Sequence, residues 1–324
     1  MSSFAETLPG KKRNSSVGRA TNWLDAMPHP DCVCEVAADH VGAARWSKAG
    51  GKLEAESHDI LEPGVLNPSP VDTNLANAET LRNSLRKVLT RVAPKGEAVA
   101  LLLPDPVVRV FIMPFETLPR SAADALPILR WRLKKSVPFD VENTSISWMR
   151  QTARDGSLEV ITAVARLPIV REYEEAVEAA GMVPGVVLSS TLACLPLLDQ
   201  AGATMLIRMR GETITTVIVR GDNLCVYRAS GMAGGRLADA KLISDEVFPA
   251  VAYYQDNHGG EIDRVLLAGF GDQQEAVARS LSADLKAPVI PLASGETGRG
   301  LDNEARSLMN MGQEALVGWM ANAR

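Results

Sequence analysis

One order of elements, legible twice along the chain, constrains the fold more than any other feature. In the second half, residues 204–209 read as a strand. Residues 213–219 alternate and are rich in Thr, Ile and Val, so they read as its hairpin partner, with Arg210, Gly211 and Glu212 as the turn. Gly221, Asp222 and Asn223 turn the chain into a third strand at 224–228, followed by a loop at Gly231, Gly234 and Gly235. Helical spacing over 236–254 places Leu237, Leu242, Val247, Val251 and Tyr254 on related faces, and Pro249 is expected to kink this helix or start another. A short apolar strand at 264–268 passes through Gly269-Phe270-Gly271 into a helix over 273–285 and a last strand at 288–292. The order is three strands, helix, strand, helix, strand.

The first half repeats its opening. Strands are expected at 31–37, 41–47 and within 52–61, then a helix over 77–92 with Leu81, Leu85, Val88 and Leu89 on one face, and a strand at 97–103. A block that the second half lacks follows: strand 107–113, helix 122–136, strands 145–151 and 158–165 about the Arg154-Asp155-Gly156-Ser157 turn, and helix 169–180. Residues 186–198 return as strand plus helix. This is an α/β chain built from a duplicated unit with an α+β module inserted in its first copy.

Composition fits that reading. The chain has 324 residues, 46% hydrophobic and 23% charged, which excludes collagen-like, disulfide-scaffold and wholly disordered classes. Its net charge of −5 gives no reason to expect nucleic acid as a partner. Cys32, Cys34, Cys194 and Cys225 form no C-x-x-C pair and read as small buried hydrophobes. The four histidines, His29, His40, His58 and His258, have no partners at metal-ligand spacing, so no metal site is expected. Residues 1–30, with the basic run Lys11-Lys12-Arg13 and no apolar core, read as a flexible tail rather than a signal peptide. A membrane span needs about 20 apolar residues. Residues 186–198 are too few, and 99–115 are broken by Asp105, Arg109 and prolines. The glycine-rich stretch 295–300 lacks the Lys-Ser/Thr ending of a P-loop and reads as a surface connection. No catalytic constellation of the Ser-His-Asp or Cys-His kind is legible.

The duplicated order resembles the actin-like (ASKHA) ATPase superfamily. Within it, Trp131-Arg132-Leu133-Lys134-Lys135-Ser136-Val137-Pro138-Phe139-Asp140-Val141-Glu142 resembles the segment of the type IV pilus assembly PilM family in which a helix runs into a Tyr-Ile-Pro-Phe-Pro-like stretch and an acid. Pro138 cannot continue the helix and holds Val137 extended, which lets Phe139 anchor the exit. The crossover Val183-Pro184-Gly185-Val186-Val187 and the loop Gly234-Gly235-Arg236-Leu237 extend the resemblance over most of residues 31–322. It implies a first actin-like subdomain at 31–105 and 184–201, an inserted subdomain at 106–183, and a second actin-like domain at 202–324.

The resemblance also implies a function. PilM-like proteins are cytoplasmic, sit at the inner face of the inner membrane, dock the N-terminal tail of the inner-membrane protein PilN and couple the pilus machine to its motor. The docking groove is implied between the first subdomain and the inserted one, with Val137, Pro138 and Phe139 in its neighbourhood. An ATP site with Mg²⁺ is implied at three turns. The first, Asp-Ile-Gly-Ser-Ser-Ser in the family, is Glu35-Val36-Ala37-Ala38-Asp39-His40 here, readable as a phosphate loop or as an ordinary hairpin turn. The second, Asp-Ile-Gly then polar residues and Thr, is Arg208-Met209-Arg210-Gly211-Glu212-Thr213. The third, Ser-Gly-Gly-Gly, is Ala268-Gly269-Phe270-Gly271, with Gly234 and Gly235 nearby in the same cleft. Arg208 reverses a charge beside the implied Mg²⁺, and Ala37 replaces a glycine, so a degenerate nucleotide site and a non-enzymatic scaffold are expected. Arg208 could instead pair with a phosphate directly. An active ATPase or sugar-kinase-like enzyme, and a cytoplasmic type II secretion component, are the alternatives.

Overall fold

The computed structural model describes residues 28–47, 52–198, 201–235, 239–294 and 301–322. The expected tail up to residue 27, the helix start at Arg236 and Leu237, and the glycine-rich stretch 295–300 lie outside the described residues. The first half forms a five-stranded sheet of order β3-β2-β1-β4-β8, from β1 (Cys32–Val36), β2 (His40–Trp46), β3 (Leu53–Ile60), β4 (Ala98–Leu103) and β8 (Val183–Ser189). The second forms β11-β10-β9-β12-β13, from β9 (Ala203–Arg210), β10 (Thr213–Arg220), β11 (Asn223–Gly231), β12 (Arg264–Ala268) and β13 (Val289–Pro291). In each sheet the three leading strands pair antiparallel and the last two join in parallel. The duplication expected from element order is therefore a duplication of topology.

The strands between are buried on both faces, which explains their near-continuous apolar runs. Cys32 and Cys34 face a core with α1 (Ala78–Val92) and α3 (Leu167–Ala179), while Val33 faces the interior between the halves. Met205 and Ile207 face α5 (Ala240–His258) and α6 (Gln274–Leu285), while Leu206 faces the interior. That shared interior also takes in α4 (Ser190–Ala193), α7 (Asn303–Asn310) and α8 (Glu314–Ala321). The inserted sheet, with β7 (Leu158–Arg166) between β5 (Arg109–Phe115) and β6 (Thr144–Thr152), packs with α2 (Ala122–Leu133) over its own small core.

Four expectations change. Of the two outcomes expected at Pro249, a kink or a new helix, no new helix starts there: α5 runs through it as one helix. Pro249 and Asp245 are both exposed, so the carbonyl freed by the missing N–H faces water. Residues 169–180, grouped with the inserted module by sequence, turn their buried face, including Ile169, Tyr173 and Val177, onto the first sheet's core. That helix completes the crossover from β4 to β8, the counterpart of α6 between β12 and β13. Residues 28–30, grouped with the tail, are tied down: His29 stacks on Trp319 with ring centroids 4.2 Å apart, and the Trp319 indole N–H donates to the Pro30 carbonyl at 3.2 Å. Finally, α7 and α8 were not anticipated. No helix among the described residues is long and apolar enough to cross a membrane.

Candidate functional site

The two duplicated hairpins meet at a cleft of about 980 Å³, a volume in the usual range for a small-molecule site. Their turns touch: a Cβ placed on Gly211, which adopts φ +53°, would lie 3.3 Å from Cβ of Ala38. Two of the other expected glycines, Gly235 and Gly269, pack behind the second turn. A Cβ on Gly235 would fall 2.4 Å from the Gly211 carbonyl oxygen, and one on Gly269 would fall 2.0 Å from the Met209 carbonyl oxygen. Both positions bring backbone against backbone, which only glycine permits. Gly271 opens the short turn Gly271–Gln273 that leads into α6. Gly211, Thr213, Glu35, Ala37 and Arg208 line the cleft.

On the cleft floor lies a cluster of buried ionic groups. Arg208, near the end of β9, is 1% exposed although it carries a full charge. Its Nη2 donates to Oε1 of Glu35 at 2.5 Å and its Nε to Oε1 of Glu314 at 2.6 Å. Its Nη1 donates to the hydroxyls of Ser190 at 2.7 Å and Thr191 at 3.3 Å. Ser190 donates in turn to Glu35, and Nη2 of Arg210 donates to Oε1 of Glu314 at 2.8 Å. Asp105, 3.9 Å from Arg208, accepts from the hydroxyls of Ser189 (2.6 Å), Thr191 (2.5 Å), Thr215 (2.7 Å) and Tyr227 (3.1 Å), and from the Thr191 amide (2.9 Å). These groups come from β1, the turn after β4, β8, α4, β9, β10, β11 and the first residue of α8.

Burial opposes charge on every member, and the pairing decides the outcome. Burial pushes the Glu35 carboxyl up, but the Arg208 and Arg210 guanidiniums with His40 bring it below its ordinary value. At Glu314, burial also pushes up, yet Arg210 and Arg208 pull the carboxyl from 4.5 down to about 2. Burial lowers Arg208, but Glu35 and Glu314 raise it well above its ordinary value. The sign for stability follows. Glutamates held low bind fewer protons folded than unfolded, so stability is present above about pH 4.5 and is lost as pH falls toward 2. Glu314→Gln is expected to flatten that acid limb in thermal unfolding followed against pH. A slope identical to the parent would show that Glu314 is not the group responsible.

No protein-family model matches the sequence, and no curated protein does. The structure, however, superposes on a chain of the PilM–PilN type IV pilus biogenesis complex with a TM-score of 0.72 at 17% identity, covering 91% of this chain and 98% of that one. A Bacteroides thetaiotaomicron protein with an actin-like ATPase fold and unknown function matches at TM-score 0.50 and 11% identity, over 80% of this chain and 89% of its own. The fold is actin-like. A weaker likeness, TM-score 0.47 at 14% identity, covers 82% of this chain and 99% of the cytoplasmic domain of EpsL, an inner membrane component of the Vibrio cholerae type II secretion system.

In an actin-like cleft a nucleotide implies Mg²⁺ held near the two hairpins. The residues present do not fit that metal. Arg208, where the resemblance implies the second acid, is bonded to Glu35, where it implies the first. The Asp105 carboxylate already accepts five hydrogen bonds. A divalent ion beside Glu35 would face a fixed guanidinium 2.5 Å from that carboxylate. Nor is Arg208 a free phosphate ligand, because its donors are held by Glu35, Glu314, Ser190 and Thr191. Val137 and Phe139 pack on the inserted module's core, as the anchoring argument expects, and Pro138 is exposed between them.

Sequence reasoning missed Glu314 and Asp105. Glu314 had a signal: a lone acid directly before the apolar run Ala315-Leu316-Val317-Gly318-Trp319-Met320. Such an acid suits a helix N-terminus whose apolar body is buried. Asp105 had one too, since it follows the apolar strand β4 between two prolines, at the carboxyl end of a parallel strand where α/β sites form.

Proposed function

We propose that this protein is a non-enzymatic adaptor of type IV pilus assembly that acts as PilM does in the PilM–PilN complex. The observation that carries the reading is the likeness over 98% of a chain of that complex. The Arg208–Glu35 pair supports the non-enzymatic half, because it neutralises the carboxylate that a metal-bound nucleotide would need. The partner is an inner-membrane protein of PilN type, bound through an extended cytoplasmic N-terminal peptide, and the adaptor sits at the inner face of that membrane beside the pilus motor. An extended peptide binds by completing backbone hydrogen bonds along an exposed edge or groove. Its neighbourhood is Val137, Pro138 and Phe139, where Pro138 is exposed between two residues packed on the inserted module's core.

Peptides from the cytoplasmic N-termini of inner-membrane proteins encoded beside this one, titrated into the full chain by calorimetry, test the reading. One saturable binder is expected, weakened at least about tenfold, or about 1.4 kcal/mol, by Pro138→Glu. No binder among such peptides, with a folded protein, would overturn the adaptor. Mg-ATP in the same cell is expected to give no heat and no phosphate release. Micromolar affinity with turnover would make the protein an enzyme instead.

A further inference from the structure

Glu35 and Arg208 occupy the same place in the two halves. In the first hairpin Val36 pairs with Val41 and Glu35 with Gly42; in the second Met209 pairs with Ile214 and Arg208 with Thr215. The hairpins close at the same spacing. Each residue also sits beside the inner parallel strand of its sheet, Glu35 opposite Leu102 and Arg208 opposite Ala268. A duplicated fold brings such equivalent positions face to face, and two like charges there would repel unless a cation lay between them. Here the two are opposite in sign and bonded at 2.5 Å. Three carboxylates, Glu35, Asp105 and Glu314, surround one buried guanidinium, and Glu314 comes from a helix in the interior shared by both sheets.

We propose that Arg208 is the built-in cation of this cluster and that it holds the two halves at one fixed closure, with neither divalent ion nor nucleotide required. The proposal rests on the reading of the cleft as degenerate, and is independent of any pilus partner. It gives the cleft a positive role: a rigid joint that keeps the first sheet and its inserted module in a constant relation to the second.

The test uses the full chain with spin labels at Asn83→Cys on α1 and Glu275→Cys on α6, both exposed; the four native cysteines are buried. The parent is expected to show one narrow distance, unchanged by EDTA, by Mg²⁺ or by Mg-ATP. Glu314→Gln, which keeps Arg208 and Glu35, is expected to broaden it. Arg208→Asp places two carboxylates face to face. It is expected to give a broad distribution in EDTA that narrows in millimolar Mg²⁺, with a rise in Tm of roughly 5 °C that the parent does not show. A parental distance kept in Glu314→Gln, or a folded Arg208→Asp indifferent to Mg²⁺, overturns the latch alone. A parental distance that shifts with Mg-ATP overturns the latch and the degenerate cleft together.

Discussion

Arg208→Met will lose about 3–5 kcal/mol of stability in urea unfolding, the range found when one partner of a buried ion pair is removed. Methionine approximates the volume, so the loss is electrostatic. Glu35 and Glu314 remain in the interior, 0% and 2% exposed at their side chains, deprived of one of the two guanidiniums that face them. The hydroxyls of Ser190 and Thr191 also lose an acceptor role. The pH dependence supplies a second, sharper readout. Arg210 stays 3.8 Å from Glu35 and 2.8 Å from Glu314, so without the Arg208 guanidinium both carboxyls are held less far below their unfolded values. Less stability is then lost as pH falls through the carboxylate range, and the acid limb of the variant is expected to be shallower than the parent's. A variant less stable than the parent but with the parent's slope would mean that Arg208 contributes packing rather than charge compensation. Adding Glu35→Gln to Arg208→Met removes one stranded charge and is expected to recover part of the loss.

Trp319→Ala will cost a further large amount, about 3–5 kcal/mol, as truncation of a fully buried large aromatic does. Trp319 is 0% exposed in the interior between the sheets, stacked on His29 and bonded to the Pro30 carbonyl. Little can collapse to fill its space, because α8 is itself wedged on α4: a Cβ on Gly318 would fall 2.2 Å from the Ala193 carbonyl oxygen. Hydrogen exchange should show lost protection along Glu314–Ala321 and at the strand that follows Pro30. Since Trp319 seats the helix that carries Glu314, the double variant with Arg208→Met is expected to lose less than the sum of the two. Strict additivity would argue that the helix and the ion cluster are energetically separate.

Most of the scaffold was legible because its signals are local. Strand alternation at Thr213–Arg220, the turn at Gly211, the one-faced helix with Leu81, Leu85 and Val88, and the Asn77 side chain capping the Thr80 amide all lie within a few residues of each other. Helix α8 was not legible, because a segment buried all round has no polar face to set its period. In α8 every residue from Glu314 to Met320 is buried. The cleft was half legible. The reversed charge at Arg208 gave reason to expect no ordinary metal site, but the residues that make the reversal stable, Glu314 and Asp105, lie 106 and 103 residues away along the chain and meet it only through the fold. Of the expected glycines, Gly211 lines the cleft, and Gly235 and Gly269 sit behind it in close backbone contact with Gly211 and Met209.

The contact of residues 29–30 with Trp319 fixes the order in which the protein can be completed during synthesis. The first half emerges early, yet Val33, Ala44 and Leu102 share their core with Leu316, Val317 and Trp319, which follow every element they pack against. Until that helix leaves the ribosome, the shared interior lacks the cover of Leu316, Val317 and Trp319, and Arg208 has Glu35 beside it but not Glu314. Such a chain cannot finish its N-terminal half and move on, as strings of independent domains do. It waits, and a nascent chain of this kind is expected to depend on chaperones until α8 has emerged.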